Sequence, residues 1–349
     1  MKALCYHGPR DLRFDEVADA RIEDERDIVV KMRCCGICGS DLHIFHGMGF
    51  NGGSGYSVGH EAVGEVVEVG SGVRRLKAGQ RVMLSAAVGC GECQACVEGR
   101  VLQCSQRGAA TRAYGIGMGL AGCQAEAIRV PAADFNATPV PEGLTDEQAL
   151  MLTDNLPTAW MGCLNANIEP GCDVLVLGLG PIGLMAVEAA YLLGAARIFA
   201  VDPVAERRAM ACLLGAQSFV PEEAQVAIET ATHGRMAHCA VDAAGTDRSL
   251  LSALQWVGRG GTVSVIGVGQ SESVGLPIRD ALRRNLSLRM GVCSVPQYWP
   301  ALVPLVQAGR LQPQRYITNA LTLQEGAEAY ALFDSRQAGT LKVVMTPGT

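Results

Sequence analysis

A glycine-rich hexapeptide inside an apolar run is the feature that most restricts the fold of this chain. Residues 174–196 are almost wholly apolar, with Glu188 as the one charged side chain. Near its start the run contains Gly178-Leu179-Gly180-Pro181-Ile182-Gly183. By length the run could cross a bilayer, but the three glycines and one proline of this hexapeptide, together with the lack of flanking aromatic anchors, favour a strand, a tight turn and a buried helix.

The hexapeptide has the Gly-x-Gly-x-x-Gly pattern of turns that bind the pyrophosphate of a dinucleotide. Gly178 permits a tight turn after a strand, Gly180 lets the backbone approach the phosphates, and Gly183 lets the following helix pack closely. Pro181 and Ile182 stand at the N-terminus of that helix, where backbone N–H groups attract an anion. A plain glycine-rich turn is the alternative, but the order strand, turn, helix favours a Rossmann dinucleotide site.

An acidic residue follows at the position that such a site requires. Asp202 ends the predicted strand at residues 198–201, 19 residues after Gly183. Its carboxylate can accept hydrogen bonds from the adenosine ribose and would repel a 2′-phosphate, which favours NAD over NADP. Arg207, which we also count among the cofactor-binding candidates, and Arg208 could instead accommodate a 2′-phosphate.

The alternation of apolar runs and helical segments predicts the domain organisation. Before residue 153 the chain is β-rich, with short Val-rich runs separated by glycine-containing turns. From about Asp173 strands alternate with helices, which implies βαβ units and a parallel sheet. We therefore predict an α/β chain in which a doubly wound Rossmann domain (154–296) is inserted into a β-rich domain (1–153 and 297–349).

Composition argues against several classes of partner and compartment. The formal charge is -6 and no long basic run is present, so neither nucleic acid nor an anionic membrane is expected as a partner. Residues 1–32 carry charges throughout and lack an apolar h-region, so we expect a cytoplasmic protein. Its 14 cysteines would then stay reduced, as metal ligands, nucleophiles or small apolar groups.

Four of the cysteines have the spacing of a closed zinc site. In Cys90-x2-Cys93-x2-Cys96-x7-Cys104, four thiolates lie within 15 residues and can surround Zn²⁺ tetrahedrally. Because protein would fill every position, the ion would be structural and would order a lobe at about residues 89–105. An iron–sulfur cluster uses similar ligands, but the Cys-Pro of bacterial ferredoxins does not follow.

A second, open site can be assembled from Cys38, His60 and Asp154. One sulfur, one nitrogen and one oxygen ligand would leave the fourth position of zinc to water or substrate, as in a catalytic site. Spacing alone does not establish this set, because its members lie far apart in the sequence. Scattered structural residues are the alternative, and the nine cysteines outside both sites are interpreted as small apolar side chains.

Nearly from end to end, the chain resembles the zinc-dependent medium-chain alcohol dehydrogenases. The likeness is carried, in the family's order, by Cys38-Gly39-Ser40-Asp41-Leu42-His43, Gly59-His60-Glu61, the four-cysteine lobe, the Gly178–Gly183 turn and Asp202. It implies that the β-rich part is a GroES-like catalytic domain and that Cys38 and His60 bind the catalytic zinc. Asp154 stands where many members have Cys, and it resembles the Asp-ligand branch, which includes bacterial secondary-alcohol dehydrogenases. Glu61 matches a carboxylate that can reach the metal during exchange of water or substrate.

The same resemblance implies roles for four further residues. Ser40 and His43 match the relay that carries the alcohol proton to solvent, and Thr158 matches a residue beside the nicotinamide. Lys342 stands where members often have a basic residue near the cofactor phosphates. Taken singly, Ser40 could be a turn cap, His43 a surface histidine and Lys342 a strand-face charge.

As to function, the resemblance implies an NAD-dependent dehydrogenase with a structural and a catalytic zinc in each chain. It would reversibly oxidise primary or secondary alcohols to aldehydes or ketones, with zinc polarising the alcohol oxygen and the nicotinamide accepting hydride. A formaldehyde, polyol or sugar-acid dehydrogenase of the same family is the nearest alternative. A zinc-free quinone or enoyl reductase and a zinc-stabilised NAD sensor are more distant ones. Family members also suggest a homodimer or homotetramer.

Overall fold

The computed structural model describes residues 1–49, 53–107, 113–269, 271–335 and 339–348. By its contacts the chain divides into two units, one made of Met1–Pro157 with Cys293–Thr349 and the other of Thr158–Val292. Within the described ranges, no helix combines the length and the apolar character needed to cross a bilayer.

The part of the first unit that precedes residue 158 is built mainly from short strands. The strands are β1 (Lys2–Gly8), β2 (Asp11–Glu16), β3 (Ile28–Gly36), β4 (Tyr56–Ser57), β5 (Glu61–Val69), β6 (Arg81–Leu84), β7 (Ala127–Val130) and β8 (Ala137–Pro139). The helices are α1 (Asp41–Phe45), α2 (Gln94–Val97), α3 (Ala133–Asn136), α4 (Asp146–Met151) and α5 (Asn155–Asn165), the last of which continues into the second unit.

The second unit alternates strands and helices. Its strands are β9 (Asp173–Leu177), β10 (Arg197–Val201), β11 (Gln217–Phe219), β12 (Ala237–Asp242), β13 (Val257–Val265) and β14 (Ser287–Met290). Its further helices are α6 (Pro181–Leu192), α7 (Ala205–Leu213), α8 (Pro221–Ala231), α9 (Asp247–Trp256) and α10 (Ile278–Arg283).

The chain then returns to the first unit and completes it. This last part contains α11 (Trp299–Gln307), β15 (Ile317–Thr322), α12 (Gly326–Ser335) and β16 (Lys342–Thr346). Short 3-10 turns lie at Val101–Gln103, Ser105–Arg107, Val295–Gln297, Pro313–Tyr316 and Leu323–Glu325.

The first unit is organised around the long strand β3. One sheet has the order β15-β16-β3-β5-β6-β8, with β7 also paired to β3, and a smaller sheet has the order β2-β1-β4. β3 pairs antiparallel with β5, β7 and β16, and it alternates buried Val30 and Met32 with exposed Lys31 and Arg33. The end of β3 therefore brings the segment after Gly36 next to the start of β5, which is where the candidate metal ligands lie.

The second unit is a parallel sheet of the Rossmann type. Its strands are ordered β11-β10-β9-β12-β13-β14, and every pair is parallel. β9 is buried along its whole length because it lies in the middle of this sheet. The apolar run at residues 174–196 thus folds as strand, glycine turn and helix α6. The predicted fold class, a doubly wound sheet inserted into a β-rich GroES-like part, is confirmed.

Candidate metal and cofactor sites

A turn and the start of a strand bring Cys38 and His60 together. Cys38 follows the end of β3, and the Asp41 N–H donates to its carbonyl oxygen at 3.1 Å as the chain turns into α1. The Asp41 carboxylate accepts from the Cys38 N–H (2.9 Å) and lies 3.0 Å from Nδ1 of His60. Because Asp41 accepts the Nδ1–H, Nε2 of His60 is left to face a metal.

The junction between α4 and α5 positions Asp154. The Thr153 hydroxyl donates to the carbonyl oxygen of Leu150 at 2.6 Å, and Nε1 of Trp299 donates to that of Leu152 at 2.9 Å. Thr153 is fully buried, and its carbonyl oxygen accepts a backbone bond from Ala86. These bonds fix the backbone directly before Asp154 and so the direction of its carboxylate.

Three potential ligand atoms converge with the spacing of a tetrahedral zinc site. Oδ2 of Asp154 lies 3.5 Å from Sγ of Cys38 and 3.5 Å from Nε2 of His60. Zinc bonds of about 2.0–2.3 Å at a tetrahedral angle place ligand atoms roughly 3.3–3.8 Å apart, so these residues fit the ion. Glu61 offers a fourth atom, and all four lie within 4.8 Å of one another.

Burial and nearby charges set the protonation of two of these groups. Burial raises the pKa of the Cys38 thiol, and the Asp154 carboxylate raises it further. Burial alone would lower the pKa of His60, but the carboxylates of Asp41 and Asp154 raise it well above its usual value. Zinc must therefore displace protons from both side chains, which makes metal binding dependent on pH.

Glu61 forms a buried ion pair with Lys342. Nζ of Lys342 lies 2.7 Å from Oε1 of Glu61, also contacts Oε2, and donates to the carbonyl oxygen of Ile37 at 2.9 Å. Lys342 is 1% exposed and Glu61 is fully buried. Burial would lower the pKa of Lys342, but Glu61 keeps it above its usual value. Lys342 is thus a buried ammonium in an ion pair with Glu61, and its expected contact with cofactor phosphates stays a prediction.

The residues expected to move the proton and contact the nicotinamide are distributed over both units. Oγ of Ser40 lies 3.5 Å from Nε2 of His60, beside the ligand set. His43 is half-buried in α1. Thr158 is 8% exposed in α5 and is the first residue of the second unit. The relay and nicotinamide roles of these residues stay predictions.

The four cysteines of the predicted closed site converge on one point. Sγ of Cys90 lies 3.9 Å from Sγ of Cys96, close to the edge of a tetrahedral ZnS4 site, and accepts a hydrogen bond from the Cys93 N–H at 3.3 Å. With Cys104, the four sulfur atoms lie within 4.8 Å of one another. Backbone N–H donors lower the pKa of Cys93 to about 5, which favours the thiolate that a metal requires.

The glycine turn after β9 has an open face at its middle glycine. Gly178 has φ +82°, and a Cβ there would lie 2.7 Å from the backbone nitrogen of Ala244. A Cβ at Gly183 would overlap the carbonyl oxygen of Gly178. At Gly180, directly before Pro181 of α6, a Cβ would meet nothing within 4 Å. The first and third glycines are therefore required by packing, and the second leaves room for a ligand such as a pyrophosphate at the N-terminus of α6.

Asp202 connects the end of β10 to this turn. Its Oδ2 accepts from the Leu179 N–H at 2.7 Å and its Oδ1 from the Val204 N–H at 2.8 Å. The side chain is 3% exposed, and Nη1 of Arg207 lies 3.9 Å from Oδ2. The Asp202 carboxylate is thus fixed beside the glycine turn, and the guanidinium of Arg207 lies close to this negative charge.

Two residues that were not predicted as site residues contact the candidate ligands. Asp41 orients His60, and its position three residues after Cys38 in a turn was a signal that could have identified it. Nδ2 of Asn155 lies 2.7 Å from Oε1 of Glu61. No sequence pattern distinguishes Asn155, because only the folded chain brings it to Glu61.

Both parts of the chain match models of known protein families. Residues 24–142 match the alcohol dehydrogenase GroES-like domain, and residues 181–308 match the zinc-binding dehydrogenase family. The chain is 40% identical over 347 residues to the probable zinc-binding alcohol dehydrogenase of Mycobacterium tuberculosis. The matched region covers 99% of this chain and 89% of that protein.

Solved structures show the same likeness over the whole chain. The alcohol dehydrogenase from Thermus sp. ATN1 has a TM-score of 0.92 at 34% identity, covering 99% of each chain. The zinc-dependent alcohol dehydrogenase 2 from Streptococcus pneumoniae has a TM-score of 0.91 at 31% identity, covering 100% of this chain and 99% of that one. Identity at this level over nearly complete chains shows that the protein belongs to the zinc-dependent medium-chain dehydrogenase/reductase family and is an oxidoreductase of its zinc-type alcohol dehydrogenases.

Proposed function

We propose that the protein is a zinc-dependent alcohol dehydrogenase that reversibly oxidises primary or secondary alcohols to aldehydes or ketones with NAD. The observation that carries the proposal is the convergence of Cys38, His60 and Asp154 at tetrahedral spacing. Three protein ligands leave one position of zinc to the substrate oxygen. When bound, zinc supplies Lewis acidity at that oxygen and NAD supplies the hydride acceptor.

The ligand set also matches the charge of the ion. Ionised Cys38 and Asp154 carry one negative charge each, and His60 binds as a neutral ring whose Nδ1–H is held by Asp41. The two charges balance those of Zn²⁺, so the loaded site would be close to neutral and would not repel an anionic alkoxide. Asp154 as third ligand places the chain, in this proposal, in the Asp-ligand branch of the family.

Ser40 and His43 are the proposed path for the alcohol proton. The Ser40 hydroxyl lies beside Nε2 of His60, so it is close to where the substrate oxygen has to sit. Its hydroxyl can accept a proton while donating its own onward. We assign the next steps to a cofactor ribose hydroxyl and to the half-buried His43, and we place Thr158 beside the nicotinamide.

NAD is the proposed cofactor because of the turn after β9 and the carboxylate beside it. The open face at Gly180 and the backbone N–H groups of Ile182 and Gly183, in the first turn of α6 after Pro181, suit a pyrophosphate. Asp202 is held in place by two backbone N–H groups and can accept the ribose hydroxyls. A 2′-phosphate would meet that negative charge, which Arg207 only partly offsets.

The four-cysteine cluster is proposed to hold a structural zinc. All its ligand positions are cysteines, so no position is left for substrate. Four thiolates here and one at Cys38 must stay reduced to bind metal, and we therefore propose the cytoplasm as the compartment.

We also propose that the chain forms a homodimer or homotetramer through the second unit. β14 is an edge strand of the parallel sheet, and apolar side chains near it are exposed: Leu282 76%, Met290 58% and Val292 60%. An exposed edge flanked by apolar side chains is suited to pairing with another copy of the same chain.

One experiment tests the proposed reaction. NAD reduction is followed with primary, secondary, aromatic and polyol substrates and with formaldehyde, on protein whose zinc content has been measured. We expect turnover with at least one simple alcohol and two zinc ions per chain, one for each ligand group. Preference for a polyol or formaldehyde would favour the alternative function. NAD binding without hydride transfer from any of these compounds would contradict the proposal that the protein is a dehydrogenase.

A further inference from the structure

The side-chain amide of Asn155 lies next to the proposed catalytic zinc ligands. Asn155 directly follows Asp154, begins α5 and is 2% exposed. Its Nδ2 lies 2.7 Å from Oε1 of Glu61, 3.4 Å from Oδ2 of Asp154 and 4.0 Å from Sγ of Cys38. One nitrogen atom therefore contacts three of the four side chains that could hold the metal.

The surroundings fix which end of the amide faces these side chains. Carboxylate oxygens and a cysteine sulfur accept hydrogen bonds, so the NH2 group has to point at them and the carbonyl oxygen away. Oδ1 of Asn155 is buried and has no hydrogen-bond partner among the described residues. An unpaired buried carbonyl costs free energy. That cost is offset because the NH2 group binds anionic acceptors, which make the stronger hydrogen bonds.

The shortest of the three contacts holds the Glu61 carboxylate from a second side. Lys342 donates to both of its oxygens and to the carbonyl oxygen of Ile37. Asn155 donates to Oε1 from a different element. Gly36 closes a further side, because a Cβ there would overlap Oε2 of Glu61. An ammonium group, an amide group and close backbone packing thus fix the carboxylate.

A carboxylate so close to the other ligands is a competitor for the metal. Its oxygen lies within 4.8 Å of the other ligand atoms, and zinc accepts Glu oxygens as it accepts those of Asp. The Lys342 ammonium alone would not prevent a swing of Glu61, because it is a compact charge on a flexible stem with rotatable donors. The planar amide of Asn155, on the first residue of a helix, is directional.

We propose that Asn155 is a positioning residue: its amide group keeps the Glu61 carboxylate on Lys342 and out of the metal's coordination sphere. The inference rests on the proposed catalytic zinc site. It adds the residue that keeps Glu61, a potential fourth ligand, away from the metal. Without the amide, Glu61 is free to exchange with Asp154 or to take the open position. If Glu61 can replace Asp154 on the metal, the ligands can leave zinc one at a time. We therefore expect such a site to lose its zinc to a chelator faster.

The test is the rate at which the zinc-loaded full chain transfers metal to an excess of a colorimetric chelator. The four-cysteine cluster, built from other residues, is the control in the same molecule. Zinc release should occur in two kinetic phases, one from the catalytic site and one from the cysteine cluster. For Asn155→Leu, whose side chain has a similar volume and no donors, we expect the rate of release from the catalytic site to rise roughly 10- to 100-fold. The cluster phase should keep its wild-type rate. Asn155→Ala repeats the test with a smaller side chain and the same expected acceleration.

The double variant Glu61→Gln, Lys342→Met, which leaves no unpaired buried charge, separates positioning from a general loosening of the site. The neutral Gln amide competes poorly for zinc, so adding Asn155→Leu to this background should change the release rate by less than about twofold. Equal acceleration in both backgrounds, or no acceleration with Asn155→Leu or Asn155→Ala alone, would overturn the role of Asn155. A wild-type chain that holds zinc only in the cysteine cluster would instead overturn the catalytic zinc site itself.

Discussion

Nζ of Lys342 lies 2.7 Å from Oε1 of Glu61, across 281 residues of sequence, in an ion pair almost fully removed from solvent. Taking both charges out of water is costly, and the pair is tolerated because each remaining donor and acceptor has a partner. Lys342 also binds the Ile37 carbonyl oxygen, and Glu61 also binds Asn155. The pair therefore ties the last strand, β16, to the start of β5, where the proposed metal ligands lie.

Removal of the lysine alone should be strongly destabilising. Lys342→Met leaves a buried carboxylate without a counter-charge, and we expect the free energy of unfolding to fall by about 3–5 kcal/mol, as measured by urea denaturation. The double variant Glu61→Gln, Lys342→Met buries no charge, so it should recover most of that loss. A single variant as stable as wild type would show that the ion pair does not contribute as described.

Asp202 should decide between NAD and NADP. Asp202→Asn keeps an acceptor for the Leu179 N–H but removes the negative charge. We expect the ratio of kcat/KM with NADP to that with NAD to rise roughly tenfold, since a 2′-phosphate would no longer be repelled. Adding Arg207→Ala should reverse part of the gain, because a nearby positive charge is lost. An unchanged ratio in Asp202→Asn would mean that this carboxylate does not contact the ribose.

One of the cysteines interpreted as apolar filler, Cys172, should titrate near neutral pH although it is only 9% exposed. Cys172 lies directly before β9, and a hydrogen bond from Cys239 lowers the pKa of Cys172 to about 7. The thiolate is the nucleophile, so alkylation of Cys172 by iodoacetamide should rise as the pH passes through about 7 and level off above it. Peptide mass spectrometry measures this rate residue by residue.

Two variants check the cause of that pKa. Cys239→Ala removes the donor, so the midpoint for Cys172 should move up towards the value of an ordinary thiol. The exposed Cys212 provides an internal comparison in every sample. A wild-type midpoint near that of an ordinary thiol would contradict the contact between Cys172 and Cys239.

Lysine substitutions near β14 should dissociate the proposed oligomer. Leu282→Lys and Met290→Lys place a charge on exposed apolar positions near the edge strand. We expect each to shift the mass by light scattering towards the monomer at concentrations where wild type is dimeric or tetrameric. Leu213→Lys, on α7 and 88% exposed, is the matched control and should leave the assembly intact. Dissociation by the control as readily as by the two variants would place the interface elsewhere.

The sequence predicts best what depends on neighbours along the chain. The strand, glycine turn and helix at β9 and α6 follow from local periodicity, and the second unit has the predicted parallel sheet. The short spacing of Cys90 to Cys104 likewise limits where four thiolates can go. In each case a few residues determine the local geometry before any distant contact is formed.

Contacts between distant segments leave no such pattern. In the sequence, Lys342 is one charge before a short apolar strand, and only the pairing of β16 with β3 buries it. Asn155 has no distinguishing spacing, yet its amide lies on Glu61. The ligand set, too, needed the resemblance to a family, because Cys38, His60 and Asp154 are joined only by the fold.

The zinc content of Asp154→Ala is the most direct test of the proposed catalytic zinc site. The two ligand groups predict two zinc ions per wild-type chain and one, in the cysteine cluster, for Asp154→Ala. Turnover should be lost, while the affinity for NAD should stay within about twofold because the glycine turn and Asp202 are untouched. Two zinc ions and undiminished turnover in Asp154→Ala would contradict the proposed catalytic site.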